Sequence, residues 1–580
     1  MRKTKVVLAK VLTAAMVISS FAGVQGITSE AAAKPKLSKK SVSITVGKTK
    51  KVTVKNAKKY KVSWKIKNKK TASFKKSGKY AVKVTAKKAG KTTLTATIKK
   101  GKKTKKLVCK ITVKKNSPKV TKTPVNTPTT SPSNVPKTTE VPTVKPTATA
   151  TAEPQDTTPA MKEIFKGVID NVGTCLTYNQ TWNNRKEMQD VSTMKFVDKN
   201  FNSFTLENEM KPDSMLNKHN MISVADAKAK GYVISDDYKE SEVPELTLET
   251  IDGVLAIAKQ HNIRMRAHTL MWHQQTPTWF FKKNYDDNEA VVDEATMNAR
   301  LEFFVRTIMR HTMQKEKELT GEVGSIVYAW DVLNEYIHRS NAAAATTWVS
   351  VYGDMGLKPT YVKAAFEYAY DELKKENVQD KVTLFYNDYD TYFSVDDELA
   401  LISYINEGED AKICGGIGMQ SHVDIKRPTL EEYGNALKAF INAGLEVQIT
   451  ELDITINFDT DDTDGRTPTY AYKNEKETDV DQAAFTKDFI KQIVDIQKNR
   501  NKIISPKGIT GITVWGISDQ TSWRGSCKPL FFTRKNVRVK DETTGKYKTV
   551  YTYVPKKSYE AMICLLYTSD AADELQGVDL

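Results

Sequence analysis

Cysteine is scarce: Cys109, Cys175, Cys414, Cys527 and Cys564 are the only ones in 580 residues, an odd and scattered set that describes no disulfide framework. None sits in a CxxC or paired His/Cys spacing, so a structural zinc is not expected. A Walker loop, an HExxH helix and a GxSxG nucleophile elbow are all missing, which sets aside P-loop nucleotide hydrolysis, zinc proteolysis and serine-esterase chemistry. Charge of one sign is missing from a whole region: Lys36 to Lys115 holds 30 lysines and no Asp, Glu or Arg. With +20 on the entire chain, the remainder carries about −10, so the basic pI of 9.3 describes one part only. Long apolar runs are also lacking. The single candidate, Val11–Val24, is kept short by Lys10 of the roughly 20 residues a membrane-spanning helix needs. Arg2, Lys3 and Lys5 precede it and Ala31–Ala33 follow it, the pattern of a secretory signal over residues 1–33 that is cleaved on export. A secreted, extracellular protein is therefore expected, with cell-wall association left open.

Residues 34–115 contain short alternating β-branched runs, among them Val42–Val46, Lys51–Val54, Val62–Ile66, Tyr80–Val84, Thr92–Thr97 and Val108–Val113. Period-2 alternation with Gly47, Gly78, Gly90 and Gly101 at the turns predicts a small all-β sandwich with one apolar and one lysine-coated face. The stretch Ala89–Val113 resembles a bacterial immunoglobulin-like repeat of surface proteins. Its lysines lack the arginine and aromatic company of a nucleic-acid site, so nucleic acid is not expected. A plain spacer and a binder of anionic cell-wall polymer or acidic xylan both remain open. Asn116–Ala160 holds nine Pro and thirteen Thr in 45 residues and cannot bury a core, so it is predicted to be an extended linker. The end of the chain, 564–580, resembles a translated sequencing adapter. It is expected to be non-native, the natural terminus being lost after about Met562 or Ile563.

From 161 to 563 strand-like runs alternate with helical ones. The predicted strands are Val172–Thr177, Phe201–Leu206, Ile263–His268, Ile326–Trp330, Val382–Tyr386, Ile417–Gln420, Val447–Thr450 and Thr510–Trp515. Eight such alternations predict an α/β chain folded as a (β/α)8 TIM barrel. Glu335 and Glu451 each follow a buried run, on the fourth and seventh strands, at the end where barrel active sites lie. A pair of carboxylates at one barrel mouth is what hydrolysis of a glycosidic bond requires.

Seven strand-end motifs, in order, resemble glycoside hydrolase family 10, the endo-β-1,4-xylanases: Glu207–Lys211 (ENEMK), Arg266–His273 (RAHTLMWH), Trp330–Glu335 (WDVLNE), Tyr386–Tyr389 (YNDY), Gly418–His422 (GMQSH), Thr450–Asp453 (TELD) and Trp515–Arg524 (WGISDQTSWR). The resemblance implies a retaining hydrolase of xylan with Glu335 as acid/base and Glu451 as nucleophile, roughly 5–5.5 Å apart. By the same resemblance Asn334 contacts a sugar 2-hydroxyl, Gln420 and His422 bond the nucleophile, and Asp453 orients His422. It makes His268 a sugar contact with Asp331 as its partner. Glu207, Asn208 and Lys211 become second-subsite contacts, His273 and Gln275 further lining, Trp272, Trp515 and Trp523 the aromatic floor and walls, and Tyr389 a candidate for the far side of the scissile bond. No cofactor or metal is implied, and a monomer acting on xylan or xylo-oligosaccharide is expected. A barrel glycosidase acting on β-glucan or cellulose, and a non-catalytic carbohydrate-binding surface protein, stay as alternatives. Two insertions, 217–246 and 457–477, are expected to reshape the outer subsites. The run Asp459–Gly465 lacks the turn glycine and closing Glu of a calcium loop and is expected to be a solvated acidic loop.

Overall fold

The computed structural model describes residues 35–39, 41–57, 60–100, 103–114, 158–180, 185–216, 219–339, 345–456, 475–540, 545 and 547–565. The expected signal segment, nearly all of the linker, the acidic loop 459–465 and the tail beyond 565 lie outside these. The chain forms two compact units.

In the first unit, one four-stranded sheet runs in the order Lys36–Leu37, Thr49–Lys55, Ala81–Ala86, Ala72–Gly78. The other runs Ser41–Thr45, Lys103–Lys114, Gly90–Lys100, Lys61–Ile66. Alternation does what the sequence predicts: Val52, Val82, Val84, Leu94, Ile111 and Val113 point into a shared core while lysines face water. Each such aliphatic side chain contributes roughly 1.5–3 kcal/mol by leaving water. Ala72–Gly78 is a strand the sequence did not announce. Its ASFKKSG has no sustained β-branched run and is held by pairing with Ala81–Ala86.

The second unit is a closed barrel of eight parallel strands, β1 (Asn171–Leu176), β2 (Ser203–Leu206), β3 (Arg264–Trp272), β4 (Val327–Asn334), β5 (Thr383–Asp388), β6 (Gly416–Met419), β7 (Glu446–Thr455) and β8 (Ile509–Val514). Each pairs with the next, and β8 returns to β1 through Ile512 opposite Val172. Strands covered on both faces read as continuous apolar runs, which is why all eight were legible. Four of them end later than predicted, β3 running on to Trp272 and β5 to Asp388. β4 continues to Asn334 and β7 to Thr455, so Glu335 follows its strand but Glu451 lies inside β7 rather than after it. The polar residues Asp331, Asn334, Glu451 and Asp453 break the apolar pattern in sequence. In the barrel each meets donors on other strands or strand-end loops: Asp331 from Arg266 and His268, Asn334 from Asn387 and Gln420, Glu451 from Asn387 and His422, and Asp453 from His422, Trp523 and Arg524. The ladder runs on through bulges at Asp331/Leu333 and Ile449/Leu452.

The insertion 217–246 is partly regular. Met221–Ser223 pairs antiparallel with Glu242–Pro244, and the helix Val224–Ala229 follows the first of these. Arg300, on the helix Glu294–Thr320, holds it through an ion pair with Glu240. Most of the second insertion lies outside the described residues.

Candidate active site

Glu335 is the first residue past β4 and adopts φ 58, the left-handed region that glutamate seldom occupies. Its N–H is pinned to the carbonyl of Asn387 on β5 at 2.8 Å, which fixes the turn and carries the side chain across the barrel mouth. Oε2 accepts from Trp272 Nε1 at 2.8 Å and Gln274 Nε2 at 3.4 Å, and Oε1 accepts from Gln420 Nε2 at 3.0 Å. All three are N–H donors, so a proton on this carboxyl finds no acceptor among them. Burial, then the negative charge of Asp388, then that of Glu451, push its pKa up to about 7 against the pull of the Gln420 and Trp272 hydrogen bonds. Asp388 falls within the YNDY motif but carries no role at the level of sequence.

Glu451 sits in the opposite condition. Burial alone would raise it, but the His422 hydrogen bond and the positive charges of His268, His422 and Lys211 hold it below the ordinary glutamate value. Its Oε1 accepts from Asn387 Nδ2 at 2.9 Å, and its Oε2 meets His422 Nε2 at 3.3 Å. The other ring nitrogen of His422 bonds Asp453 at 2.9 Å. Burial would lower this imidazole, but the charge of Asp453 and the hydrogen bonds to Asp453 and Glu451 raise it to about 9. Asp453 also accepts from Trp523 Nε1 and Arg524 Nη1, both at 3.0 Å, so one carboxylate fixes the histidine, an aromatic wall and a buried guanidinium together.

The two glutamates belong to one hydrogen-bond chain. Gln420 Nε2 reaches Glu335 and, at 3.2 Å, Asn334 Oδ1; Asn387 Nδ2 reaches that same Asn334 oxygen and Glu451, each at 2.9 Å. Two expectations change here. The Gln420 side chain serves Glu335, while its main-chain carbonyl accepts the Glu451 N–H at 2.9 Å. The amide on the Glu451 side is Asn387, which falls within the YNDY motif but was given no role. Thr450 Oγ1 donates to Asn387 Oδ1 and thereby fixes which end of the amide faces Glu451.

His268 bonds Asp331 at 2.9 Å, as expected, and Asp331 is simultaneously gripped by Arg266, a fully buried guanidinium that also donates to Gln448 at 2.8 Å and lies 4.2 Å over the Phe385 ring. An arginine inside an apolar strand carries no signature of its partner, so this interior pair was missed. Lys211 is buried, bonds Asn208 at 3.3 Å and lies 4.8 Å over Trp272, and Gln275 reaches Asn208 at 3.3 Å. Glu207 is paired with Arg185 at 2.6 Å and Gln180 at 3.0 Å on the loop after β1, two further polar groups the motif comparison did not single out. Trp515 stands edge-on to His268 and His422, and Trp523 lies 5.0 Å from the His422 ring. His273 is set apart. It is buried with neither ring nitrogen hydrogen-bonded, and burial plus the nearby charges of Arg339 and His338 push it down to about 4. Tyr389 stacks on His338 at 4.0 Å, and His338 in turn bonds Asp388 at 2.8 Å.

Comparison with known proteins bears on this arrangement. The family model for glycosyl hydrolase family 10 matches residues 160–549, and that for the bacterial Ig-like domain (group 2) matches 32–109. Endo-1,4-beta-xylanase A of Butyrivibrio fibrisolvens is 40% identical over 352 residues, which is 60% of this chain and 76% of that protein. Endo-1,4-beta-xylanase B of the same organism is 32% identical over 346 residues, 59% of this chain, and the chain spans 47% of its length. Among solved structures, a bacterial Ig-like domain containing GH10 xylanase from termite gut aligns with 92% of this chain and 100% of its own, at a TM-score of 0.50 and 19% identity, a likeness of fold alone.

Proposed function

We propose that this chain, which belongs to glycosyl hydrolase family 10, hydrolyses internal β-1,4-xylosidic bonds of xylan by double displacement. The observation that carries the proposal is the opposed condition of the two carboxyls within one hydrogen-bond chain. One is held ionised by His422 and nearby positive charge, and the other keeps its proton to about pH 7. In the first step Glu451 attacks the anomeric carbon while Glu335 gives its proton to the departing glycosidic oxygen. The C–O bond to the leaving sugar breaks as the bond to Glu451 forms. With Glu451 esterified, one of the negative charges raising Glu335 is gone, and the carboxylate takes a proton from water as that water displaces Glu451. Burial, the largest of the influences that raise Glu335, is untouched by that step, so the fall in its affinity for protons is partial rather than complete. In this reading Asn334, whose oxygen accepts from the Asn387 and Gln420 amides, bonds the sugar hydroxyl beside the reacting carbon. Trp272, Trp515 and Trp523 offer flat apolar area to pyranose faces.

Two inversions at one carbon amount to retention. Proton NMR of a fresh digest of linear xylan is expected to show the β-anomer of each new reducing end first, with the α-anomer growing in by mutarotation. Immediate α-product, or release of reducing ends from carboxymethylcellulose matching that from xylan, overturns the proposal.

The lysine-coated unit supports a second, separate role. We propose that it holds the secreted enzyme on anionic wall polymer or acidic xylan, because 30 lysines without one internal acid leave no neutralising partner inside residues 36–115. The full chain is expected to be retained on insoluble acidic xylan at low salt and released at about 0.5 M salt, where screening lengths fall well below 10 Å. Salt-independent retention contradicts it.

A further inference from the structure

Beyond β8 the chain makes a two-stranded ribbon, Phe532–Lys540 paired with Tyr547–Pro555, which has no third strand among the described residues. Isolated ribbons of this kind are marginal in water. Its base is fixed at the end of the barrel that carries the glutamates. The Asp519 N–H donates to the Phe532 carbonyl at 3.1 Å and the Arg534 N–H to Gln520 Oε1 at 2.6 Å, both on the loop that bears Trp515 and Trp523. Tyr551 N–H donates to Ser192 at 3.0 Å, and Tyr553 OH meets Thr193 Oγ1 at 2.9 Å, in the first turn of the helix Val191–Asn200. That helix leads back to the start of β2, so its first turn lies at the same barrel end. Glu187, which lies within electrostatic range of Tyr553, bonds Arg185, and Arg185 bonds Glu207. The ribbon therefore flanks the side of the cleft on which Glu207, Asn208 and Lys211 lie.

Going outward, the first strand passes from a buried Phe532 to exposed residues. Register places Arg534 opposite Tyr553, Asn536 opposite Tyr551 and Lys540 opposite Tyr547, all on one face. Arg534 lies 4.5 Å over the Tyr551 ring and Arg538 4.6 Å over the Tyr547 ring, and Tyr547 is 59% exposed. The two strands carry five Lys or Arg and no Asp or Glu; Asp541 and Glu542 fall in the sequence between them. Among the described residues no carboxylate pairs with Arg534, Arg538 or Lys540. Flat tyrosines at strand spacing offer area to pyranose rings, and the guanidinium groups beside them suit a carboxylate.

We propose that this ribbon continues the cleft as an outer subsite that recognises the uronic acid substituents of xylan. This rests on the chain's being a xylan hydrolase, and the test separates the two. Initial rates of the full chain are measured on uronate-bearing xylan and on the same polymer after its carboxyls have been reduced to alcohols. The unsubstituted enzyme is expected to favour the acidic polymer at low salt and to lose that preference as salt rises. In Arg534→Gln/Arg538→Gln, kcat/KM on the acidic polymer falls about three- to tenfold, the scale of one or two exposed charged contacts. The loss appears in KM with kcat unchanged, and rates on the reduced polymer stay as they were, which also serves as the folding control. Tyr547→Ala weakens both polymers alike, since stacking does not read charge. Equal rates on the two polymers, or a loss in the double variant that is the same on both, overturns the ribbon's role while leaving the xylanase activity standing. Turnover of neither polymer overturns both.

Discussion

In Glu451→Ala, turnover of xylan is expected to fall by about 10^4-fold or more, the scale on which enzymes lose rate when a covalent nucleophile is removed. Binding of xylo-oligosaccharide is expected to persist, because the tryptophans, Lys211 and Asn208 remain in place. The reason for so large an effect is that nothing nearby can substitute. His422 loses one of the groups that raise it when Glu451 goes, but the larger influence, Asp453 at 2.9 Å, stays and still favours the protonated ring, which has no lone pair with which to attack. The vacated space offers a sharper check. Added azide should enter from the Glu451 side while Glu335 still protonates the leaving group, giving the α-glycosyl azide. Formation of the β-azide would exchange the roles assigned to the two glutamates, and full activity of the variant would end the mechanism altogether.

The counterpart, Glu335→Gln, is expected to slow xylan hydrolysis by about 10^2- to 10^4-fold, the usual worth of a positioned general acid. Its signature lies in which step is affected. An aryl xyloside with a strongly acidic phenol leaves without a proton, so the glycosyl-enzyme still forms. Water then lacks its base, and a burst of phenol equal to the enzyme concentration should precede a slow steady state. The pH profile supplies an independent readout. Glu335 acts first as an acid, so kcat/KM of the unsubstituted enzyme should fall with rising pH through about 7, the value to which burial, Asp388 and Glu451 push that carboxyl. Glutamine has no proton to lose, and the alkaline limb should vanish in the variant. On the acid side the limb belongs to Glu451, which must be ionised and is held below the ordinary glutamate range, so activity should extend to lower pH than an ordinary glutamate would allow. An unchanged alkaline limb in Glu335→Gln would assign it to another group.

How much of this was legible beforehand follows from the physics of each residue. Barrel strands buried on both faces are apolar runs, and a linear pattern reports them directly. The catalytic pair, His422 with Asp453 and His268 with Asp331 stood within short motifs at strand ends, so their proximity followed from topology. What escaped were contacts between strands that sequence spacing cannot encode. Asn387 and Glu451 are 64 positions apart and meet only because β5 and β7 face the same mouth. The Gln420 side chain goes to Glu335 rather than Glu451 because Gln420 lies one residue past the end of β6, where the direction of a side chain is not set by strand alternation. Asp388 was passed over for a related reason. Its influence on Glu335 is exerted through space, while its carboxylate bonds His338 and accepts from the Tyr386 hydroxyl and the backbone N–H groups of Ile337 and Tyr389.

Deep in the barrel, Arg266 and Asp331 form an ion pair sealed from water, and the same aspartate steadies His268 at the mouth. Stranding either charge by exchanging its mate alone is costly, about 3–5 kcal/mol for pairs of this kind. Drift at these two positions is therefore coupled: a viable lineage swaps both together or neither. The imidazole above inherits that immobility, and its aim toward a substrate is set by a bond two layers down that no sugar ever touches.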